Sequence, residues 1–300
     1  MFRRAKFKLR LPATAGQPSR TLALGERTLI MGILNVTPDS FSDGGKFLDP
    51  AAALDRALEI ERAGAHIIDI GGESTRPGSQ PVSVDEELRR VIPVLESLRG
   101  RLNIPVSIDT MKPEVAEVAA VAGAAILNDV SALRAGPAMA EIARCRRLPL
   151  ILMHMRGEPR TMHKKPFARD VLRDVTSGLR RAVEIARRAG VPKSRIVLDP
   201  GIGFGKSASQ NLELLARLPE LARLGCPLLV GASRKKFVGD LLGGRPANQR
   251  VWGTAATVAA AILGGAQIVR VHDVSEMAQI ARVTDAILDP RLSARAASSK

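Results

Sequence analysis

Eight short apolar runs in this chain each end in residues that can do chemistry. Leu29–Val36 carries Asn35 near its end, and His66–Ile70 carries Asp69 before the sequence GGESTRPG, Gly71 to Gly78. Val106–Ile108 is followed by Asp109 and Thr110. Ala125–Asn128 ends in Asn128, with Asp129 next. Leu150–Met153 leads to His154, and Ile196–Leu198 leads to Asp199, Pro200 and then GIGFGK, Gly201 to Lys206. Leu228–Val230 leads to Ser233, Arg234, Lys235 and Lys236. Ile268–Val271 contains Arg270 and is followed by His272 and Asp273. The set divides by charge. Asp109, Asn128 and Asp199 are short acceptors and amides suited to a heterocycle edge rich in N–H donors, because a carboxylate facing a guanidine-like edge forms paired, charge-assisted hydrogen bonds. Lys235 can reach acceptors on the other side of such a ring. Asn35, Ser74, Thr75, Arg76, Arg270 and His272 are donors or metal-friendly groups suited to a pyrophosphate and its Mg2+.

The stretch Met31–Gly45, MGILNVTPDSFSDGG, adds a second feature. After the apolar run, Pro38 and the glycine pair Gly44 and Gly45 forbid continued sheet or helix. The loop between them holds hydroxyls, the carboxylates Asp39 and Asp43, and a single ring, Phe41.

These residues need a scaffold that brings eight strand ends together. Between the apolar runs lie segments with helical spacing: Ala51–Ala63, Val84–Leu98, Pro113–Ala122, Pro137–Cys145, Phe167–Ala189, Ala208–Leu224, Arg250–Leu263 and Ser275–Leu288. Asp49 before Pro50 marks one helix start, and Ser83 three residues before Glu86 forms a capping-box pattern at another. Glycines such as Gly64, Gly100, Gly123, Gly190 and Gly225 close the helices. Strand-then-helix units repeated eight times over about 250 residues match the arithmetic of an α/β (β/α)8 TIM barrel, with a doubly wound open sheet as the alternative. In such a barrel the strand C-termini converge on the ligand-binding face. Residues 1–27 read as an N-terminal β-hairpin from Phe7–Leu11 and Thr21–Leu24, residues 28–290 as one barrel domain, and 291–300 as a disordered tail.

Composition limits the other classes. The 300 residues are 45% hydrophobic, which supports a large core. No apolar run reaches the ~18 residues of a membrane span. The basic opening MFRRAKFKLR lacks an apolar stretch of the signal-peptide kind, so a cytoplasmic protein without membrane partners is expected. Two distant cysteines, Cys145 and Cys226, exclude a cysteine zinc site. The net charge of +15 suggests anionic partners, yet aromatics are only 3%, with no tyrosine, so base-stacking platforms are scarce and no nucleic-acid partner is expected.

The first loop closely resembles the signature loop of dihydropteroate synthases, folate-pathway enzymes of the pterin-binding TIM-barrel superfamily. GGESTRPG, SIDT, NDVS, DPGIGFGK, SRKKF and RVHDV also resemble that family's motifs, so the likeness covers nearly the whole chain. The resemblance implies a pterin pocket lined by Asp109, Asn128, Met153, Asp199 and Lys235. It implies a pyrophosphate site of Asn35, Ser74, Thr75, Arg76, Arg270 and His272, with Asn35 near Mg2+. It implies a p-aminobenzoate site of Phe41, Thr75, Pro77, Phe204 and Lys235, with Lys236 as a second cation near the carboxylate. Asp43 would cover the reacting centre, and Arg76, Lys235, Arg270 and His272 would serve the reaction beside it. The implied reaction joins p-aminobenzoate to 6-hydroxymethyl-7,8-dihydropterin pyrophosphate. A homodimer formed through late helices is also expected, with Ala255–Leu263 contributing. Three rivals stay open: a methyltransferase of the same superfamily, which would not need Arg76, Arg270, His272 or the Phe41 loop; a Schiff-base aldolase with Lys235 as nucleophile; and a non-catalytic RNA-binding paralogue. Asp129, Asp273 and Arg234 also have plain structural readings as caps or an ion-pair partner, as do His66 and His154 as packing residues.

Overall fold

A parallel barrel forms because each strand is short and apolar on both faces, so it must be covered inside and out. The computed structural model describes residues 4–37, 49–74, 79–158, 161–162 and 167–292. Two strands, β1 (Phe7–Leu11) and β2 (Arg20–Leu24), pair antiparallel as the expected hairpin. The barrel strands are β3 (Leu29–Asn35), β4 (Ile67–Gly71), β5 (Val106–Asp109), β6 (Ile126–Asp129), β7 (Leu150–Met153), β8 (Ile196–Asp199), β9 (Leu229–Val230) and β10 (Ile268–Val271). Neighbours pair in parallel from β3 through β8, and β10 lies between β3 and β9. A parallel bridge between Leu198 and Leu228 joins β8 to the start of β9 and closes the ring.

The helices are α1 (Pro50–Arg62), α2 (Val84–Ser97), α3 (Pro113–Ala122), α4 (Ala138–Arg146), α5 (Val171–Arg188), α6 (Ala208–Ala216), α7 (Leu218–Ala222), α8 (Lys236–Leu241), α9 (Val251–Leu263) and α10 (Val274–Leu288). Their buried stripes and the outward strand residues make one core layer around the barrel. Asp49 caps α1 by accepting from the Ala51 N–H at 2.9 Å. Ser83 likewise accepts from the Glu86 N–H at 3.2 Å, but Glu86 turns to Arg90 instead of reaching back. The reciprocal capping box lies at Ser207 and Gln210, at the start of α6.

Two differences from the expected pattern have local causes. The single helix expected over Ala208–Leu224 is two, because Pro219 in the first turn of α7 cannot continue the hydrogen bonding of α6. The short helix α8 is not among the expected elements, since only seven residues follow Lys235 before the glycines Gly243 and Gly244.

The hairpin closes the end of the barrel opposite the site. Leu9, Leu11 and Leu24 pack on Leu29, Met31, Ile67, Ile126, Ile151, Val197, Leu229 and Ile268, which come from every barrel strand except β5. Arg4 locks the entry to the hairpin. Its guanidinium donates to Asp285 Oδ1 at 2.9 Å, to Thr28 Oγ1 at 2.7 Å and to the Ala266 carbonyl at 3.1 Å.

Candidate active site

At the other end of the barrel, one carboxylate sits where four strands meet. Asp69 on β4 is fully buried. Its Oδ2 accepts from Asn128 Nδ2 on β6 at 3.0 Å and from Arg270 Nε on β10 at 2.6 Å. Arg270 Nη2 donates to Asp109 Oδ2 on β5 at 2.7 Å. Strand register explains the meeting, for Gly71 pairs with Asp109 and Asp109 with Asn128 across β4, β5 and β6. The Asp69 Oδ1 has no partner among the described residues.

The electrostatics follow from burial. Desolvation pushes the Asp109 carboxyl up to about 7, with Asp69 adding to the rise and Arg270 opposing it. Burial pushes Asp199 on β8 up to about 6, against the Gly201 N–H that donates to its Oδ1 at 2.7 Å. Burial also opposes the charge of Arg270, and the carboxylates of Asp69 and Asp109 more than offset it. The result is a pocket floor of acceptors held near neutrality, able to ionise fully against a cationic or guanidine-like edge.

Lys235 approaches from the β9 side. Its Nζ stands 3.8 Å from the centroid of the Phe204 ring, a cation–π contact. Phe204 and Met153 share an apolar wall with Val130, Met155 and Met162. Gly203 has φ +86, and a Cβ there would stand 2.9 Å from Lys235 Cδ, so the lysine stem lies directly on the loop backbone.

His272 lies beside this group. Its Nδ1 is 3.0 Å from Ser233 Oγ, which accepts the His272 backbone N–H at 3.2 Å. Ser233 can therefore donate to Nδ1, leaving the imidazole proton on Nε2. Burial and the nearby Arg270 and Arg234 push the imidazole down to about 3, so His272 is neutral and donates without charge. Asn35 ends β3, and its carboxamide oxygen and the Asp109 carboxylate both lie 3.8 Å from where a Cβ on Gly71 would stand.

Several sequence expectations meet here, and several do not. Asp109, Asn128, Met153, Asp199, Lys235, Phe204, Arg270, His272 and Asn35 all lie at the strand C-termini or in the loops that follow them. Arg270, expected on a pyrophosphate, has its Nε on Asp69 and its Nη2 on Asp109. Lys236 turns away to the surface: its Nζ contacts Asp240 at 2.9 and 3.0 Å and its side chain is 79% exposed. The Ser74 carbonyl accepts from Ser79 Oγ at 2.5 Å. Phe41, Asp43, Thr75, Arg76 and Pro77 lie outside the described residues. The structural readings of Asp129, Asp273, Arg234 and His66 describe their observed contacts. Asp129 ties the turn through the N–H groups of Ser131 and Leu133, Arg234 Nε donates to Asp273 at 3.0 Å, and His66 Nδ1 accepts from the Ile30 N–H at 3.1 Å.

Three supporting groups were missed. Asp69 is visible in the sequence at a strand end, where nothing nearby names its partner. Lys206, the last residue of GIGFGK, is buried and donates to the carbonyls of Gly201 at 2.8 Å, Phe204 at 3.0 Å and His154 at 3.3 Å. Burial lowers its amine to about 7. Lys112 bridges Glu73 and the fully buried Glu87, and so anchors the base of the β4–α2 loop. Spacing alone gives no sign of the Lys112 pairing. The lysine that closes a glycine-rich loop was a readable sign of the Lys206 staple.

A closed parallel barrel with ionisable groups from many strands on its C-terminal face is the architecture of a barrel enzyme. The model of the pterin binding enzyme family matches residues 31–272, and the chain belongs to that family. It is 52% identical over 263 residues to the dihydropteroate synthase of Synechocystis sp., covering 88% of this chain and 91% of that protein. The Xanthomonas albilineans dihydropteroate synthase solved with 4-aminobenzoic acid is 45% identical, with a TM-score of 0.85 over 94% of this chain and 99% of its own. The same enzyme in complex with 7,8-dihydropteroate is 40% identical, with a TM-score of 0.80 over 93% and 98% of the two chains.

Proposed function

We propose that this chain condenses 6-hydroxymethyl-7,8-dihydropterin pyrophosphate with p-aminobenzoate to give 7,8-dihydropteroate and pyrophosphate. The observation that carries the reading is the network of Asp69, Asn128, Arg270 and Asp109 beside Asp199 and Lys235. It presents acceptors to one side of a flat ring and a cation to the other. Relatives named for this activity, one of them solved with 4-aminobenzoic acid and another with 7,8-dihydropteroate, support it.

In this mechanism Asp109, Asn128 and Asp199 hold the aminopyrimidinone edge, and Lys235 meets the ring acceptors. Met153 and Phe204 supply an apolar wall. The amine of p-aminobenzoate is a weak nucleophile, so leaving-group departure runs ahead of attack. His272 donates a neutral hydrogen bond to the departing pyrophosphate, joined by Arg76 from the β4–α2 loop and by the N–H groups of Arg270 that Asp69 and Asp109 do not take. The positive charge left on the methylene carbon is shared with the electron-rich pterin, and Asp43 stabilises it. Closure of the loops over residues 36–46 and 72–82 excludes water.

A Mg2+ ion fits the donors on the page. Among the described residues no cluster of three His, Cys, Asp or Glu could cage a metal. Mg2+ is commonly held by one or two protein oxygens together with substrate phosphates and water, and Asn35 offers one such oxygen. When bound, the ion would neutralise charge on the pyrophosphate.

A homodimer belongs to the same proposal. Within Ala255–Leu263, the residues Ala255, Val258, Ala261 and Ile262 face the core and only Leu263 among the large side chains is exposed. Trp252 on α9 and Val283 and Ile287 on α10 are the other large exposed apolar side chains of these helices. Light scattering that gives a monomer at high concentration overturns the dimer.

The activity is tested by following pyrophosphate release with Mg2+ and the dihydropterin pyrophosphate, with and without p-aminobenzoate. Dihydropteroate formation that needs both substrates and collapses in Lys235→Ala is expected. Absence of turnover despite pterin binding would move the function to a methyltransferase or an inactive paralogue. A borohydride-trapped adduct on Lys235 would favour the aldolase.

A further inference from the structure

A second cleft lies on the outer side of the strand end that carries Met153. It has a volume of about 470 Å³ and lies between α5 and the β6–α4 turn. That is the size range of small-molecule sites. One face of α5 lines it, because Asp174, Ser177, Arg181 and Ile185 recur at helical spacing. The opposite wall is a rigid turn. Asp129 clamps the N–H groups of Ser131 and Leu133 at 2.8 and 2.7 Å, with Ala132 and Leu133 in the left-handed region.

His154 joins the two walls. Its ring lies on Gly178, where a Cβ would stand 2.6 Å from His154 Cδ2, so only glycine in α5 allows the approach. Burial, with Lys206 and Arg134 nearby, holds the imidazole down to about 3 and therefore neutral. Its Nδ1 is buried and has no partner among the described residues.

The charge in the cleft is positive. Arg134 donates to the carbonyls of Ser131 and Gly157 at 3.2 and 2.5 Å. Arg181 is exposed and has no ion-pair partner among the described residues. Asp174, the one carboxylate of the lining, already faces Arg156 Nη1 at 3.5 Å and His154 Nε2 at 3.6 Å, while Asp129 and Glu158 lie near Arg134 from outside the lining. Arg181 and the remaining N–H groups of Arg134 thus stand over apolar surface from Met155 and Ile185, while Ser131 Oγ donates to Asp129 at 2.6 Å and Ser177 Oγ to the Asp174 carbonyl at 3.0 Å.

We propose that this cleft binds a small molecule with an anionic head and an apolar body, and that filling it changes the affinity of the pterin pocket. The head meets Arg134 and Arg181, and the body lies on Met155 and Ile185. The path to the pterin pocket is short. Met155 packs in the cluster of Met153 and Phe204. The His154 carbonyl accepts from Lys206, which also holds the Gly201 and Phe204 carbonyls beside Asp199. Gly201 lies directly against the His154 carbonyl, since a Cβ there would stand 1.9 Å from that oxygen. Displacing His154 therefore displaces the loop that holds Asp199 and Phe204.

The test uses phenyl phosphate as the probe and pteroic acid to fill the active site. Calorimetry on the full chain should show phenyl phosphate binding with the active site filled, and neutral benzyl alcohol should not bind. Arg181→Glu should weaken the probe by about tenfold or more, and Arg181→Lys should keep most of the affinity, as loss and retention of a surface cation on an anion predict. Saturating phenyl phosphate should shift the pteroic acid affinity, with the reciprocal shift in probe affinity that linkage demands. Full displacement of the probe by pteroic acid, or no effect of Arg181→Glu, would overturn the site. An unchanged pteroic acid affinity would overturn the coupling. Comparing the probe titration of wild type and Arg181→Glu without pteroic acid separates failure of the cleft from failure of the pterin reading.

Discussion

Replacing Asp69 by asparagine removes one charge from the middle of the site and keeps its shape. The carboxylate holds Arg270 Nε at 2.6 Å and Asn128 Nδ2 at 3.0 Å, in a position with no solvent exposure. Both bonds end on Oδ2, so a carboxamide oxygen placed there can accept both, with its NH2 where the partnerless Oδ1 stood, and what the substitution removes is the charge. The charge-assisted bond to Arg270 is the one most weakened, and such bonds contribute about 1.5–3 kcal/mol. Arg270 keeps Asp109 at 2.7 Å, so the guanidinium is not left unpaired and the fold should survive. The network orients Asn128 and Asp109, so the loss should appear in pterin binding. It converts to a weakening of about 10- to 150-fold in dissociation constant. Calorimetric titration with pteroic acid reads this directly, and circular dichroism of the same samples checks folding. A folded Asp69→Asn protein that binds pteroic acid within twofold of wild type would refute the claim that Asp69 organises the pocket.

Other substitutions probe other links. The Asp199 carboxyl is raised to about 6, so it stays protonated in the folded chain where the unfolded chain has ionised. Its contribution to stability is therefore complete below the ordinary carboxyl range and is lost as pH rises through about 6. Asp199→Asn should gain melting temperature relative to wild type between pH 4 and pH 7, flatten above that, and bind pterin poorly; a pH-independent difference would sink the argument. Lys112→Met removes the only cation on fully buried Glu87 among the described residues and should cost about 3–5 kcal/mol in urea unfolding. A loss under 1 kcal/mol would show that water or a rearranged neighbour replaces the amine. Lys236→Ala should leave the KM for p-aminobenzoate within about twofold, because an exposed i,i+4 pair with Asp240 is weak and faces away from the pocket; a large rise in KM would bring Lys236 back to the carboxylate.

Much of the barrel was legible because its signals are local. Leu150–Met153 and Ile268–Val271 are strands over the expected residues, and Pro113–Ala122 is the expected helix. Each is an apolar run or a helical repeat bounded by Gly or Pro, and neither signal depends on distant contacts. The convergence of Asp109, Asn128, Asp199 and Lys235 followed once the barrel was assumed, since strand ends of a closed parallel ring share one face. The partnerships within the site were not legible. Asp69 and Arg270 are 201 residues apart, and no periodicity relates them. The chemistry of Arg270 suggests a pyrophosphate, and closure of the ring also brings Asp69 and Asp109 from β4 and β5 onto its guanidinium, contacts that residue type does not announce. Lys236 failed in the opposite sense. Its neighbour Lys235 ends the extended segment, and α8 begins at the next residue, which rotates Lys236 onto the helix surface with Asp240. A residue-type argument cannot see that turn of the backbone.

The Arg4 lock bears on how the chain is made. Arg4 reaches Asp285, 281 residues later, and β3 can pair with β10 only when residues 268–271 are present. During synthesis the first strands must therefore wait with one flank of β3 and the inner faces of the hairpin leucines uncovered. A ribosome adding about 5–20 residues per second needs many seconds to reach α10. Through that interval the nascent protein carries an open seam, a natural place for a chaperone to hold, and the seam disappears only when the last helix arrives.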